Sequence, residues 1–206
     1  MNWQLPQADS YFAPYVQSGW QLDHLEAAFK HVQHWRTAVD IGAHVGFWTV
    51  EMAKKFDSVF AWEPARDTYE CLQANVAGLK NVVTEPWAAG AHKGKCRVLD
   101  DPQRGGNTGA RFVRPDGDTE QHALDELLLF HCDLLKIDVE GYELRVLEGA
   151  RETLKRCKPV VLMETDKRFA RARYGIPDKA AEDYLLERGY RVAEHIRPDK
   201  VFVWRA

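Results

Sequence analysis

An α/β fold built on a mainly parallel sheet is what this sequence predicts, and three observations predict it. Short apolar runs alternate with segments of helical periodicity along most of the chain. The runs near 37–41, 58–62, 82–86, 134–138 and 159–164 suit strands covered by helices on both faces. Between the first two runs lies DIGAHVGF, 40–47, a glycine turn that leads from a strand into a helix.

Each element follows in order. Residues 1–20 hold Trp3, Tyr11, Phe12, Tyr15 and Trp20 with Pro6 and Pro14, and read as an extension packed on the core or as a lid over the site. Leu22, Leu25, Phe29 and Val32 recur at helical spacing over 21–35. His24, His31 and His34 fall on that helix and read as surface histidines, since no acidic partner is evident. Helices are expected near 46–56, 66–78, 122–130, 143–156 and 178–188, between the strands named above. The segment 94–100 is expected to add an edge strand. DDPQRGGNTGARFVRPDGDTEQ, 100–121, breaks the rhythm and reads as a long exposed loop whose Arg104, Arg111 and Arg114 suit a phosphate or carboxylate of a substrate. The tail YRVAEHIRPDKVFVWRA reads as two strands joined at Arg197-Pro198-Asp199-Lys200. The chain divides into an extension with its helix, 1–36, and a globular unit, 37–206.

The glycine turn carries the first chemistry. Asp40, Gly42 and Gly46 stand at D-x-G-x-x-x-G, and Glu63 ends the next strand in AWEP, 61–64. Strand, glycine turn, helix, strand, acid is the layout of a nucleoside-cofactor site, with the acid placed to accept hydrogen bonds from ribose hydroxyls. A dinucleotide site wants glycine where Asp40 stands, because its pyrophosphate lies against that turn. A carboxylate there suits S-adenosylmethionine, which carries a sulfonium and an ammonium and no phosphate. An NAD-dependent oxidoreductase is the rival on this reasoning. A binding module that holds the cofactor without turnover is another.

Composition sets bounds. The 206 residues suit one globular unit, and a formal charge of −3 gives no broad electrostatic case for nucleic acid or an anionic membrane. Cys71, Cys96, Cys132 and Cys157 show no metal or disulfide spacing and read as reduced thiols. Arg168, Arg171 and Arg173 read as a solvated cluster. With no signal-peptide pattern and no long apolar run, a cytoplasmic location is expected.

The stretches DIGAHVGFWTVEMAKKF, VFAWEPARDTYECLQANV, ALDELL and LLKIDVEGYELRVLEGA resemble the FkbM-type S-adenosylmethionine-dependent methyltransferases. The resemblance runs from about Thr37 to Asp166, and KIDVEGYE, 136–143, is its most specific part. His44 stands where the family usually has Asn. The resemblance implies a Rossmann-like class I methyltransferase fold with a seven-stranded sheet ending in an antiparallel hairpin. It also implies O-methylation of a hydroxyl on a sugar or small metabolite.

Candidate site residues follow from both lines. For the cofactor they are Asp40, Gly42, Ala43, His44, Gly46, Glu63, Trp87 and Asp138, with Trp87 placed to cover the adenine or else to serve as a core aromatic. A hydroxyl acceptor benefits from a base, and the carboxylates at the ends of the fourth and fifth core strands are the candidates. These are Asp138, Glu140 and Glu164, with Asp166 just after, and His44 in the cofactor turn is a further one. Glu140 has a competing role as a helix cap. Lys136, inside an apolar strand, is expected to need a carboxylate partner. Several carboxylates in one place can hold Mg²⁺, but nothing in the spacing demands a metal, and none is assigned.

Overall fold

A computed structural model describes residues 2–16, 20–165 and 169–205. Asp166 and Arg168 lie outside the described residues. The central sheet has seven strands: β1 (Thr37–Ile41), β2 (Ser58–Trp62), β3 (Val82–Glu85), β8 (Leu134–Ile137), β9 (Val160–Glu164), β10 (Tyr190–Ile196) and β11 (Asp199–Trp204). Their order is β10-β11-β9-β8-β1-β2-β3. All neighbours run parallel except the β10–β11 hairpin, which is antiparallel within itself and to β9. The expected fold class is thus the observed one.

Strand parity sorts the core into two layers, because alternate side chains point to opposite faces. Val39, Ile41, Leu135, Ile137, Val161 and Met163 pack on one face with α4 (Glu143–Gly149), α5 (Arg151–Cys157) and α7 (Ala180–Glu187). Ala38, Val59, Leu134, Val160 and Leu162 pack on the other with α1 (Leu22–Phe29) and α2 (Phe47–Ala53). Helix α3 (Arg66–Val76) buries Leu72 and Val76 against Val50 and Ala61. Asp40 and Lys136 share the face of Ala38 and Leu134, which puts two charges inside that layer.

Several expectations are corrected. The segment 100–121 is not a plain loop. It holds a 3-10 turn at Thr108–Ala110 and strands β6 (Phe112–Pro115) and β7 (Thr119–His122). With β4 (Ala88–Ala89) and β5 (Gly94–Leu99) these form a second sheet of four strands, ordered β4-β7-β5-β6. The expected edge strand at 94–100 therefore belongs to this sheet. The expected helix at 122–130 is a 3-10 turn over Leu124–Leu127, and that at 143–156 breaks at Ala150 into α4 and α5. A short helix absent from the sequence reading, α6 (Phe169–Tyr174), follows β9. His24 is not on the surface: it is buried with its Nδ1 2.7 Å from Oδ2 of Asp199. Arg173 is also buried, donating to Glu140 and Asp101. Cys96 and Cys132 are buried, Cys71 and Cys157 half-buried, and all are free thiols. No helix among the described residues is long and apolar enough to cross a membrane.

Candidate active site

One large cavity, about 500 Å³, opens where β1, β2, β8 and β9 end. Ligands of open α/β sheets bind at such carboxyl ends. The turn after β1 forms its floor. Gly42 has φ +76°, and a Cβ there would stand 1.9 Å from the carbonyl oxygen of Asp138, so only glycine lets the turn lie against the end of β8. Gly42 and Ala43 both donate backbone N–H groups to the carbonyl of Trp62, which binds the turn to the end of β2.

Glu63 follows directly. Its carboxylate accepts the backbone N–H of His44 on Oε2 and that of Ala65 on Oε1, each at 2.9 Å. Two fixed donors hold the group in one orientation while it lines the cavity. Burial pushes its carboxyl up to about 7 despite those donors.

Asp40 and Gly46 are not on the cavity wall. The Asp40 side chain is fully buried, accepts a 2.6 Å bond from the Thr49 hydroxyl and pairs with Lys136 Nζ at 3.0 Å. Lys136 also donates to the carbonyl of Gly42 at 2.6 Å. The expected carboxylate partner of Lys136 is therefore Asp40, and the pair braces the turn from beneath. Neutralised in this way, Asp40 presents no bare charge to a ligand, so its charge is no argument about which cofactor binds. Gly46 starts α2 at φ +94°, where a Cβ would stand 2.8 Å from Leu72 Cδ1.

His44 is on the wall, at φ +53°. Its ring lies 4.5 Å from the Phe12 ring, and its Nε2 is 2.8 Å from Thr108 Oγ1. The Thr108 hydroxyl donates its one proton to Asp9, so the contact to His44 requires Nε2 to carry hydrogen. Burial holds the imidazole down at about 4. His44 is thus a neutral ring whose Nε2 is committed to a structural bond. Trp87 lines the cavity, stacked 4.1 Å from His122 and edge-on to Trp62 at 5.4 Å.

The far wall is acidic. Asp138, Glu140 and Glu164 line it together, and so does Asp199, which faces Glu164 across the β9–β11 register. The structure therefore brings the three predicted strand-end acids to one place. Glu140 is not a helix cap. It sits at φ +56°, with Arg173 Nη1 3.1 Å from Oε2 and Arg104 Nη1 3.6 Å from Oε1. The N–H of Gly141 is instead taken by Glu143. The loop arginines differ from expectation as well. Arg111 is locked to Asp67, Asp100 and Thr68, so it offers no bare fork to a phosphate, while Arg114 lies over Phe112 and Tyr174.

Sequence reasoning missed Asp199, because its partner His24 lies 175 positions away, with nothing local to announce the pair. It also missed Thr108 and Asp9, which fasten the loop to the turn and to the N-terminal segment. Tyr11, Phe12 and Trp20 of that segment do line the cavity.

Comparison with known proteins agrees with this geometry. Structures similar to this one include a methyltransferase FkbM from Methylobacillus flagellatus, 18% identical with a TM-score of 0.56, covering 82% of this chain and 43% of that one. This chain thus spans less than half of that protein. A precorrin-6y C5,15-methyltransferase from Geobacter metallireducens gives 16% identity and 0.53, covering 90% and 89%. Fibrillarin from Aeropyrum pernix, solved with natively bound S-adenosyl-L-methionine, gives 14% identity and 0.50, covering 87% and 72%. At such identities these likenesses show the fold. No curated protein matches. The model of the methyltransferase FkbM domain matches residues 40–192, from the first turn of the cavity into the terminal hairpin. With three quarters of its length under that match, the chain belongs to the FkbM-domain family of S-adenosylmethionine-dependent methyltransferases.

Proposed function

We propose that this chain methylates a hydroxyl oxygen on a sugar or another small polyhydroxylated metabolite. The observation that carries the reading is the division of the cavity. One side has the pre-oriented Glu63, the Gly42 turn and Trp87, which suit a nucleoside. The other sets Asp138, Glu140, Glu164 and Asp199 around the ends of β8 and β9 and the start of β11, which suits a ligand with hydroxyl donors, and Tyr11, Phe12, Trp20 and Trp48 line the same cavity with apolar ring faces.

S-adenosylmethionine, when bound, supplies an activated methyl on a sulfonium sulfur. Glu63 accepts the ribose hydroxyls, its orientation fixed by the N–H groups of His44 and Ala65. Ala43 and His44 add backbone surface, and Trp87 covers the base. Asp138 stands at the junction of the two sides and takes the proton of the acceptor hydroxyl. Glu140 and Glu164 orient that acceptor. His44 is disfavoured as the base, because burial lowers its basicity to about 4. Residues 1–36 are an extension and helix packed on the unit 37–206, with Tyr11, Phe12 and Trp20 lining the cavity.

The test is a panel of sugars, polyols and amines assayed with labelled S-adenosylmethionine. Label transferred to hydroxyl oxygen supports the reading, and transfer to nitrogen alone overturns it. With an acceptor in hand, Asp138→Asn is expected to lower kcat by about 10²-fold or more. Its cofactor affinity should stay within about tenfold, or ~1.4 kcal/mol. Glu63→Ala should instead weaken cofactor binding by about 1.5–3 kcal/mol, as charge-assisted hydrogen bonds are lost. Wild-type turnover by Asp138→Asn removes that residue from the mechanism.

A further inference from the structure

Three loop arginines, Arg104, Arg111 and Arg114, suit an anionic group by sequence, and the function proposed above uses none of them. The structure separates the three. Arg111 is locked to Asp67, Asp100 and Thr68, and Arg114 is not on the cavity wall. Arg104 lines the cavity with its side chain 34% exposed. Its Nη1 stands 3.6 Å from Oε1 of Glu140, too far for a hydrogen bond. The guanidinium makes no hydrogen bond among the described residues, and its other contact is the Phe169 ring, 4.7 Å below. An arginine laid on a ring keeps its in-plane N–H donors for an oxyanion. Lys136 is also on the wall, but Asp40 and the Gly42 carbonyl hold it. Arg104 is thus the cation on the wall, among the described residues, with donors to give.

The backbone keeps Arg104 in place. Its N–H donates to the carbonyl of Asp101, and its carbonyl accepts the N–H of Asn107. Asp101 is tied in turn to Arg173, and the carbonyl of Gly106 accepts the N–H groups of Ser10 and Tyr11. Gly105, next in the chain, also lines the cavity. A Cβ there would meet nothing within 4 Å, and its N–H has no acceptor among the described residues. Glu140 does not depend on Arg104 for a partner, because Arg173 holds it through both Oε2 and the carbonyl oxygen.

We propose that Arg104 forms the subsite for an oxyanion on the acceptor, a carboxylate or a phosphate ester carried beside the hydroxyl that is methylated. Either group matches the arginine fork with two parallel N–H···O bonds, which fixes orientation as well as attracting charge. The contact with Glu140 sets Arg104 on the acceptor side of the cavity, away from the ribose acid Glu63. The acceptor class narrows from a neutral polyol to a sugar acid, a sugar phosphate or a hydroxy acid. This inference rests on the reading of the cavity as one that holds an acceptor beside the cofactor.

The experiment is calorimetric titration of the chain saturated with S-adenosylhomocysteine, using glucose, glucuronate, glucose 6-phosphate and inorganic phosphate as probes. Wild type is expected to bind at least one of the three anions about tenfold or more tighter than glucose. Arg104→Gln should abolish that preference, and Arg104→Lys, which keeps the charge but not the fork, should reduce it. Circular dichroism establishes that each variant is folded. Absence of any anion preference in wild type overturns the proposal, and so does an undiminished preference in folded Arg104→Gln. If Arg104→Gln does not fold, Arg104→Lys decides by the same criterion. The cofactor's own carboxylate is the other source of an oxyanion, and 5′-methylthioadenosine, which lacks it, separates the two. Loss of S-adenosylhomocysteine affinity in Arg104→Gln with unchanged 5′-methylthioadenosine affinity would assign the fork to the cofactor and overturn the proposal. Binding of inorganic phosphate that depends on Arg104, with no sugar bound, supports the subsite while telling against a sugar acceptor.

Discussion

Glu63 is a carboxylate sealed from water and facing a ligand site, and that position carries a pH signature. Its carboxyl titrates near 7 in the folded chain against an ordinary value of 4.5. Between those values the folded chain holds a proton that the unfolded chain has released. Stability therefore falls as pH rises through that window and levels off above it, at up to about 1.4 kcal/mol per pH unit. Glu63→Gln lacks this titration, so wild type should lose stability relative to it between pH 4.5 and 7. Urea midpoints of both proteins across that range check the slope. Cofactor affinity of the wild type should rise through pH 7 as the ionised, hydrogen-bond-accepting form takes over. This residue was legible in the sequence because an acid ending the strand after a glycine turn has a local signature. Asp138 and Glu164 were legible for the same reason. Asp40 was legible as a special position but not in its role, since its charge is cancelled by Lys136 from the neighbouring strand.

The second sheet shows where local reading stops. FVRP and TEQH lack the alternation that marks a strand, and each is four residues long. The Asp116-Gly117 turn would have suggested a hairpin, yet β6 and β7 do not pair with each other and both lie against β5. What holds the element is remote. Thr108 donates to Asp9 from its backbone at 3.2 Å and from its hydroxyl, and Ser10 and Tyr11 donate backbone N–H groups to Gly106. Limited proteolysis of the free protein should therefore cut at the exposed turns near 102–105 and spare 108–122. Asp9→Ala removes bonds to a charged group worth about 1.5–3 kcal/mol and should speed cleavage by about tenfold or more. Equal cleavage rates would show that the N-terminal segment does not anchor the loop.

Across the whole molecule, His24 of α1 and Asp199 of β11 join distant parts of the chain at 2.7 Å, with side chains each 8% exposed. The imidazole is raised by its hydrogen bond to Asp199, and the carboxyl is raised by burial. Removing one partner leaves the other buried and uncompensated. His24→Ala should cost about 3–5 kcal/mol, read as a shifted urea midpoint, and combining it with Asp199→Asn should cost less than the sum of the two. Additive losses would mean the pair carries no coupling. The cavity has the same long-range make-up: Tyr11 and Phe12 come from one end of the chain, Pro198 and Asp199 from the other, and Gly42, Glu63 and Asp138 from between. A chain with its central strands paired but its terminal hairpin unseated has no complete pocket. A bound cofactor therefore acts as a latch that favours the chain with its N-terminal segment and terminal hairpin both seated.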